Sequence, residues 1–119
     1  MFSLDDTMRY WLYNKPVNMR MGFNGLSGIV NNRMGMNMRR GDVFVFVNAA
    51  RNRMKILHHE ESGLVLYALR IEMGRMRLAL GDKTDDNSTQ LAHADLISTA
   101  KSAMESPYVR RMKMLSSTL

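Results

Sequence analysis

Along residues 8–13 apolar and polar positions alternate as in a strand: Met8, Tyr10 and Leu12 share one face, and Arg9, Trp11 and Tyr13 the other. Asn14-Lys15-Pro16 closes this strand, because Pro16 has no amide to give to a ladder. From Met19 the period lengthens. Met19, Phe23, Leu26 and Val30 recur at helical spacing, and Ile29 widens the stripe. Asn18 is placed to cap this helix, its side chain accepting an orphan amide one turn in. The pattern fades at Met34-Gly35, where glycine can adopt the left-handed conformation that ends a helix. Gly22, Gly25 and Gly28 recur every third residue within it, each costing about 1 kcal/mol against alanine. That spacing predicts close approach of the helix backbone, either to the protein's own sheet or to a ligand or nucleic acid.

Residues 42–47 put valines on one face and Phe44 and Phe46 on the other. A strand apolar on both faces is expected at the centre of a sheet, covered on both sides. Residues 48–53 read as a polar hairpin loop, residues 54–59 as the returning strand, and Glu60-Glu61-Ser62-Gly63 as a second turn. Residues 64–72 then form the longest strand. The expected sheet is a three-strand meander with the first strand added at an edge. Residues 81–88 are a polar linker without an apolar anchor. Residues 91–104 are helix-permissive, with Ser88 or Thr89 as a cap, and Ser106-Pro107 breaks them. A short basic tail over residues 108–114 docks, reaches a partner or stays disordered; its composition does not choose.

These elements make an α+β fold: a small antiparallel sheet of about four strands, one helix packed on it, and a C-terminal helix. The division expected is a domain over residues 1–80, followed by linker, helix and tail over residues 81–119. The chain of 119 residues suffices for one modest core. Its apolar fraction of 45% and charged fraction of 24% are ordinary for a globular protein. No run approaches the roughly 18 apolar residues of a membrane span. Residues 1–6 lack the layout of a signal peptide, and the absence of cysteine fits a reducing compartment, so the cytoplasm is expected.

Charge sharpens this picture. The net +6 is concentrated in residues 7–55, where Arg9, Lys15, Arg20, Arg33, Arg39, Arg40, Arg51, Arg53 and Lys55 face Asp42 alone. Residues 81–119 are balanced. A basic first half attracts polyanions, which makes nucleic acid or an acidic protein surface the natural partner. Arg51, Arg53 and Lys55 flank the predicted hairpin tip, and Arg39-Arg40 precede the central strand. The stretch Arg9-Tyr10-Trp11-Leu12-Tyr13-Asn14-Lys15 either fills a core or offers aromatic surface beside cations, as single-strand binders do. Met34, Met36 and Met38 alternate in a connecting segment and suit an adaptable contact surface.

Catalytic parts are wanting. His58-His59-Glu60 resembles a metal cluster, but neighbouring strand residues point to opposite faces, and His93 is remote. Asp42 opens a strand and Glu72 ends one, with no third carboxylate in sight for two-metal phosphoryl chemistry. There is no nucleophile elbow and no phosphate-cradling glycine loop. The expectation is a non-enzyme with no cofactor, no metal and no small-molecule ligand.

One ordered set goes further. Met19-Arg20 with Gly22-Phe23 and Gly25-Leu26, then Val43-Phe44-Val45-Phe46, Arg53-Met54-Lys55-Ile56-Leu57-His58, Tyr67, Arg70-Ile71-Glu72 and Gly74-Arg75 resemble the TnpB accessory protein of bacterial insertion sequences of family sixty-six. The resemblance covers about residues 7–77. It implies a non-catalytic partner in transposition, with DNA at the element ends, the transposase, or both as partners. Self-association is a further option. Carried over residue by residue, Arg20, Arg53, Lys55, Arg70 and Arg75 become the contact positions, and Arg39, Arg40 and Arg51 join them from the charge pattern. The chain departs from the family's pattern at Met21, Ala49-Ala50, His59, Leu69 and Met76, where more cations and aromatics are expected.

Overall fold

The computed structural model of the protein describes residues 4–38, 41–60, 63–70, 88–91, 96 and 110–115. Its elements are β1 (Arg9–Tyr13), α1 (Phe23–Asn32), β2 (Asp42–Val47), β3 (Arg53–Glu60), β4 (Gly63–Arg70), β5 (Ser88–Leu91) and β6 (Arg110–Leu115). The strands form one sheet in the order β5-β1-β2-β3-β4-β6. The α+β class expected from sequence holds, and so does the β2-β3-β4 meander. Two corrections apply to the sheet. It is mixed rather than antiparallel, because β1 runs parallel to β2 with Arg9 beside Asp42 and Leu12 beside Val45. Nor is β1 an edge strand, since β5 pairs with its other side, Tyr10 opposite Leu91 and Tyr13 opposite Ser88.

The parallel pair follows from α1, which carries the chain back so that β2 starts at the same end as β1. The alternation read from sequence assigns each face correctly. Tyr10, Leu12, Val43, Val45, Val47, Met54, Ile56, Val65, Tyr67 and Leu69 build one core layer, with Leu96 buried in it. Tyr13, Val17, Phe44, Phe46, Leu57 and Leu66 build the other, against Leu26, Ile29 and Val30 of α1. Every residue of β2 is buried, as expected of a central strand covered on both faces. Truncating Phe44 or Phe46 to alanine would cost about 3–5 kcal/mol on this packing.

The helix starts later than its hydrophobic stripe. Gly22, not Asn18, is the N-cap, and it has no side chain to cap with. Asn18 makes a turn of its own instead: its side chain accepts the Arg20 amide at 2.8 Å and its carbonyl the Met21 amide at 3.1 Å. Short polar side chains compete with helix in this way. The far end matches expectation, with Gly35 at φ +66 and the amides of Met34 and Met36 donating to the carbonyls of Ile29 and Val30. The glycine expectation is corrected as far as it concerns the protein's own sheet. A Cβ added at Gly22 or Gly28 would meet nothing within 4 Å, and one at Gly25 would meet only the Met21 side chain.

Ser88 and Thr89, expected as helix caps, lie in β5, where the Thr89 hydroxyl donates to Asn14 Oδ1 at 2.8 Å. Residues 110–115 of the expected tail form β6, which pairs with β4 from Ala68 opposite Arg110 to Gly63 opposite Leu115. Apart from Leu91 in β5 and Leu96 in the core, the expected C-terminal helix lies outside the described residues, as does linker 81–87. Among the described residues, no helix is long and apolar enough to cross a membrane.

Candidate nucleic-acid interface

Charge is sorted along the strand axis. The described carboxylates gather where β2 begins. Asp42 opens that strand and takes the Arg9 guanidinium at 2.6 Å, Glu60 ends the antiparallel β3, and Asp5 and Asp6 precede β1. The opposite end collects cations. Lys15 follows β1, Arg20 lies in the turn before α1, Arg51 is in the β2–β3 loop, Arg53 opens β3, and Arg70 closes β4. No described carboxylate lies at that end. The N-terminus of α1 opens there too, with neither a capping side chain nor an acid in its first turn, so the helix dipole adds to the positive field.

The β2–β3 loop is fixed by one side chain. Asn48 Oδ1 accepts the amides of Asn52 at 3.1 Å and Arg53 at 3.0 Å, while its Nδ2 donates to Asn52 Oδ1 at 2.8 Å. Its backbone carbonyl accepts the Arg51 amide at 3.0 Å. The turn so formed holds Arg51 at φ 56, where a non-glycine residue is uncommon. Ala49 and Ala50 are exposed beside it.

The structure brings most of the sequence-derived candidates together. Arg53 and Arg70 are directly opposite in the β3–β4 register, both exposed. They face the side of the sheet that carries α1, along with Lys55. Lys55 differs from them: it is half-buried, and its Nζ donates to the Met21 carbonyl at 2.7 Å, tying the turn before the helix to the sheet. Val17 N to Val47 O, 3.0 Å, anchors the same segment. Arg20 is therefore close to the end of the Lys55 side chain. Arg39, Arg40 and Arg75 lie outside the described residues.

Other candidates resolve differently. Tyr10 and Tyr13 are buried and Trp11 is half-buried, so the first strand's aromatics serve the core. His58 and His59 lie on opposite faces of β3. His58 is buried, stacked on Tyr67 with centroids 5.9 Å apart, its Nε2 3.2 Å from Glu60 Oε2. Among the described residues no three His, Asp or Glu side chains gather where a metal ion could be held. Met34, Met36 and Met38 are half-buried at the rim of the helix-side core. Sequence reasoning left Lys15 and the uncapped helix start off its contact list. A cation directly after a strand was visible, but its end of the molecule depended on the parallel pairing of β1 with β2.

No solved structure matches the chain. An uncharacterized protein of Sinorhizobium fredii, y4jC, is 29% identical over 68 residues, which is 57% of this chain and 58% of that protein's length. The profile of the family described as IS66 Orf2 like protein matches residues 8–105, from the strand before α1 to well beyond β5. The chain therefore belongs to the IS66 Orf2-like family.

Proposed function

We propose that this protein is a non-catalytic accessory factor of an insertion-sequence transposition system that contacts DNA through the positive end of its sheet. Family membership supports the transposition context. The observation that carries DNA contact is the sorting of charge: Lys15, Arg20, Arg51, Arg53 and Arg70 at one end, and all described carboxylates at the other. Such a dipole orients the molecule toward a polyanion before contact and raises the capture rate. Arg39, Arg40 and Arg75 are assigned to the same role by the sequence pattern.

The test is a mobility-shift titration on element-end duplex at two salt concentrations. About four phosphate contacts would give a slope of log affinity against log salt near −4. Absence of binding at low salt rejects the reading. Preference for element ends over scrambled duplex tests recognition separately.

A second reading, a protein adaptor that binds the transposase or another copy of itself, draws on the half-buried methionines Met34, Met36 and Met38 with Trp11 at the rim of the helix-side core. Flexible thioethers repack against varied partners. Co-purification with the transposase after nuclease treatment favours this reading over direct DNA contact.

A further inference from the structure

The chain has a single Asn-Gly step, Asn24-Gly25, and it falls at the second and third residues of α1. The first intrahelical bond runs from the Leu26 amide to the Gly22 carbonyl at 3.0 Å, so the amides of Phe23, Asn24 and Gly25 stand outside the ladder. The carbonyl one turn back from Gly25 is that of Met21, and it takes the Lys55 ammonium at 2.7 Å instead. No side chain caps this helix start, and no acid stands in its first turn. Asn24 is exposed, and Gly25 has no side chain to shield its nitrogen from the neighbouring carboxamide. Every other asparagine is followed by a residue with a side chain.

We propose that Asn24 is a self-modifying site, converted through its neighbour Gly25 to aspartate and isoaspartate. The Gly25 backbone nitrogen, its proton taken by water or hydroxide, attacks Cγ of Asn24. A nitrogen–carbon bond closes a cyclic imide as the Cγ–Nδ2 bond breaks, and ammonia leaves. Water then opens the ring at either carbonyl, giving aspartate or isoaspartate, with no oxidant or reductant involved. Two features of this end favour the step. The attacking amidate and the tetrahedral oxyanion are negative, and the helix start and Arg20 supply positive potential. A helical backbone holds Cγ away from the Gly25 nitrogen, so the first turn has to open, and a turn without a cap opens at low cost. Either product puts a carboxylate into the first turn, at the end of the molecule where the cations gather. The consequence for DNA affinity rests on the proposed DNA contact; the modification itself does not.

The test incubates the full chain at neutral and at mildly alkaline pH. Peptide mapping by mass spectrometry, with isoaspartyl methyltransferase labelling, follows each asparagine. Conversion is expected first at Asn24, faster at the higher pH, with isoaspartate among the products. Asn24→Gln and Gly25→Ala should each leave this position unlabelled over the same period. A Cβ at position 25 meets only the Met21 side chain, nearest at its flexible end, 2.9 Å from Cε, and alanine favours the helix, so that variant should stay folded. Denaturation midpoints check both. In Asn24→Asp the new acid complements the helix dipole, so the midpoint should rise, while the salt slope on duplex DNA falls by roughly one contact. Conversion at Asn24 no faster than at other asparagines, conversion that persists in Gly25→Ala, or conversion seen only in denaturant overturns the proposal. If the native chain binds duplex and Asn24→Asp binds it equally well, the coupling to DNA is overturned. If the chain binds no duplex at all, the DNA reading fails, and labelling at Asn24 still establishes the site.

Discussion

Lys55 donates from its ammonium to the main-chain carbonyl of Met21 at 2.7 Å, across the gap between β3 and the turn that leads into α1. A cation that the sequence places among the contact residues is thus engaged in holding the fold. Replacing it with methionine keeps the aliphatic stem and removes the charged donor. Lys55→Met should cost about 1–2 kcal/mol of stability, the range of a hydrogen bond from a charged group with partial solvent rescue. Arg53→Met, by contrast, should leave stability level or slightly higher. DNA affinity should show the reverse order, with the larger loss at Arg53. Chemical denaturation and mobility shift on the same two variants separate the roles.

Asn48 organises the hairpin at the positive end through three side-chain hydrogen bonds, to two backbone amides and one side-chain amide. Asn48→Ala leaves the amides of Asn52 and Arg53 to water. The loss should be about 2 kcal/mol, measurable as a lower denaturation midpoint with an unchanged slope. Amide exchange at Asn52 and Arg53 should accelerate more than exchange elsewhere in β3.

Arg51 at φ 56 carries a backbone conformation that costs an L-residue about 1–2 kcal/mol. Arg51→Gly removes that strain but adds unfolded-state entropy, so a net gain near 0.5 kcal/mol is expected. Arg51→Val should instead destabilise the hairpin, because a β-branched residue tolerates that region worst. Thermal denaturation ranks the three. If valine is as stable as glycine, the strained geometry is wrong.

Much of this architecture was readable in the chain because the period of its apolar positions survives folding. The alternation of Val43, Phe44, Val45, Phe46 and Val47 assigned both faces of the central strand, and the stripe of Phe23, Leu26 and Val30 located the helix. What failed to show was whatever depends on partners distant in sequence. Nothing local to residues 9–13 announces a parallel neighbour, and nothing local to residues 88–91 announces a strand covering that edge. Asn18 misled because a side chain suited to capping a helix suits a turn equally well. The candidate contact residues were legible one by one as cations. Their gathering at one end, and the opposition of Arg53 to Arg70, came only with the register.

Gly28 sits on an open face of α1. Its spacing with Gly22 and Gly25 suggested close packing, yet a Cβ at Gly28 would meet nothing within 4 Å. It is therefore a mid-helix glycine without a packing reason. Gly28→Ala should stabilise the protein by about 1 kcal/mol through helix propensity alone. A loss of stability would mean that this face of the helix packs against a neighbour. A gain of stability with a loss of DNA or transposase binding would mean the bare backbone face serves a partner.

Tyr10 gives the fold a pH limit on the alkaline side. It is fully buried, its hydroxyl donates to the Asp5 carbonyl at 2.6 Å, and its pKa is raised to about 12 from 10.0 by burial first and then by the carboxylates of Asp5 and Asp6. A phenol whose folded pKa lies above its unfolded value favours the folded state fully below the unfolded value. As pH rises the unfolded chain ionises first, so that contribution falls away between about pH 10 and pH 12. Denaturation midpoints should therefore decline across this window. In Tyr10→Phe the hydroxyl's hydrogen bond is lost, costing about 1 kcal/mol near neutral pH. The variant's decline above pH 10 should be shallower than the native protein's, because no buried phenol remains at that position to ionise. The difference in near-ultraviolet phenolate absorbance between the native protein and Tyr10→Phe isolates Tyr10, and it should rise only as the pH approaches 12. Parallel declines in the two proteins would show that Tyr10 ionises as an exposed phenol does, unsheltered beside Asp5.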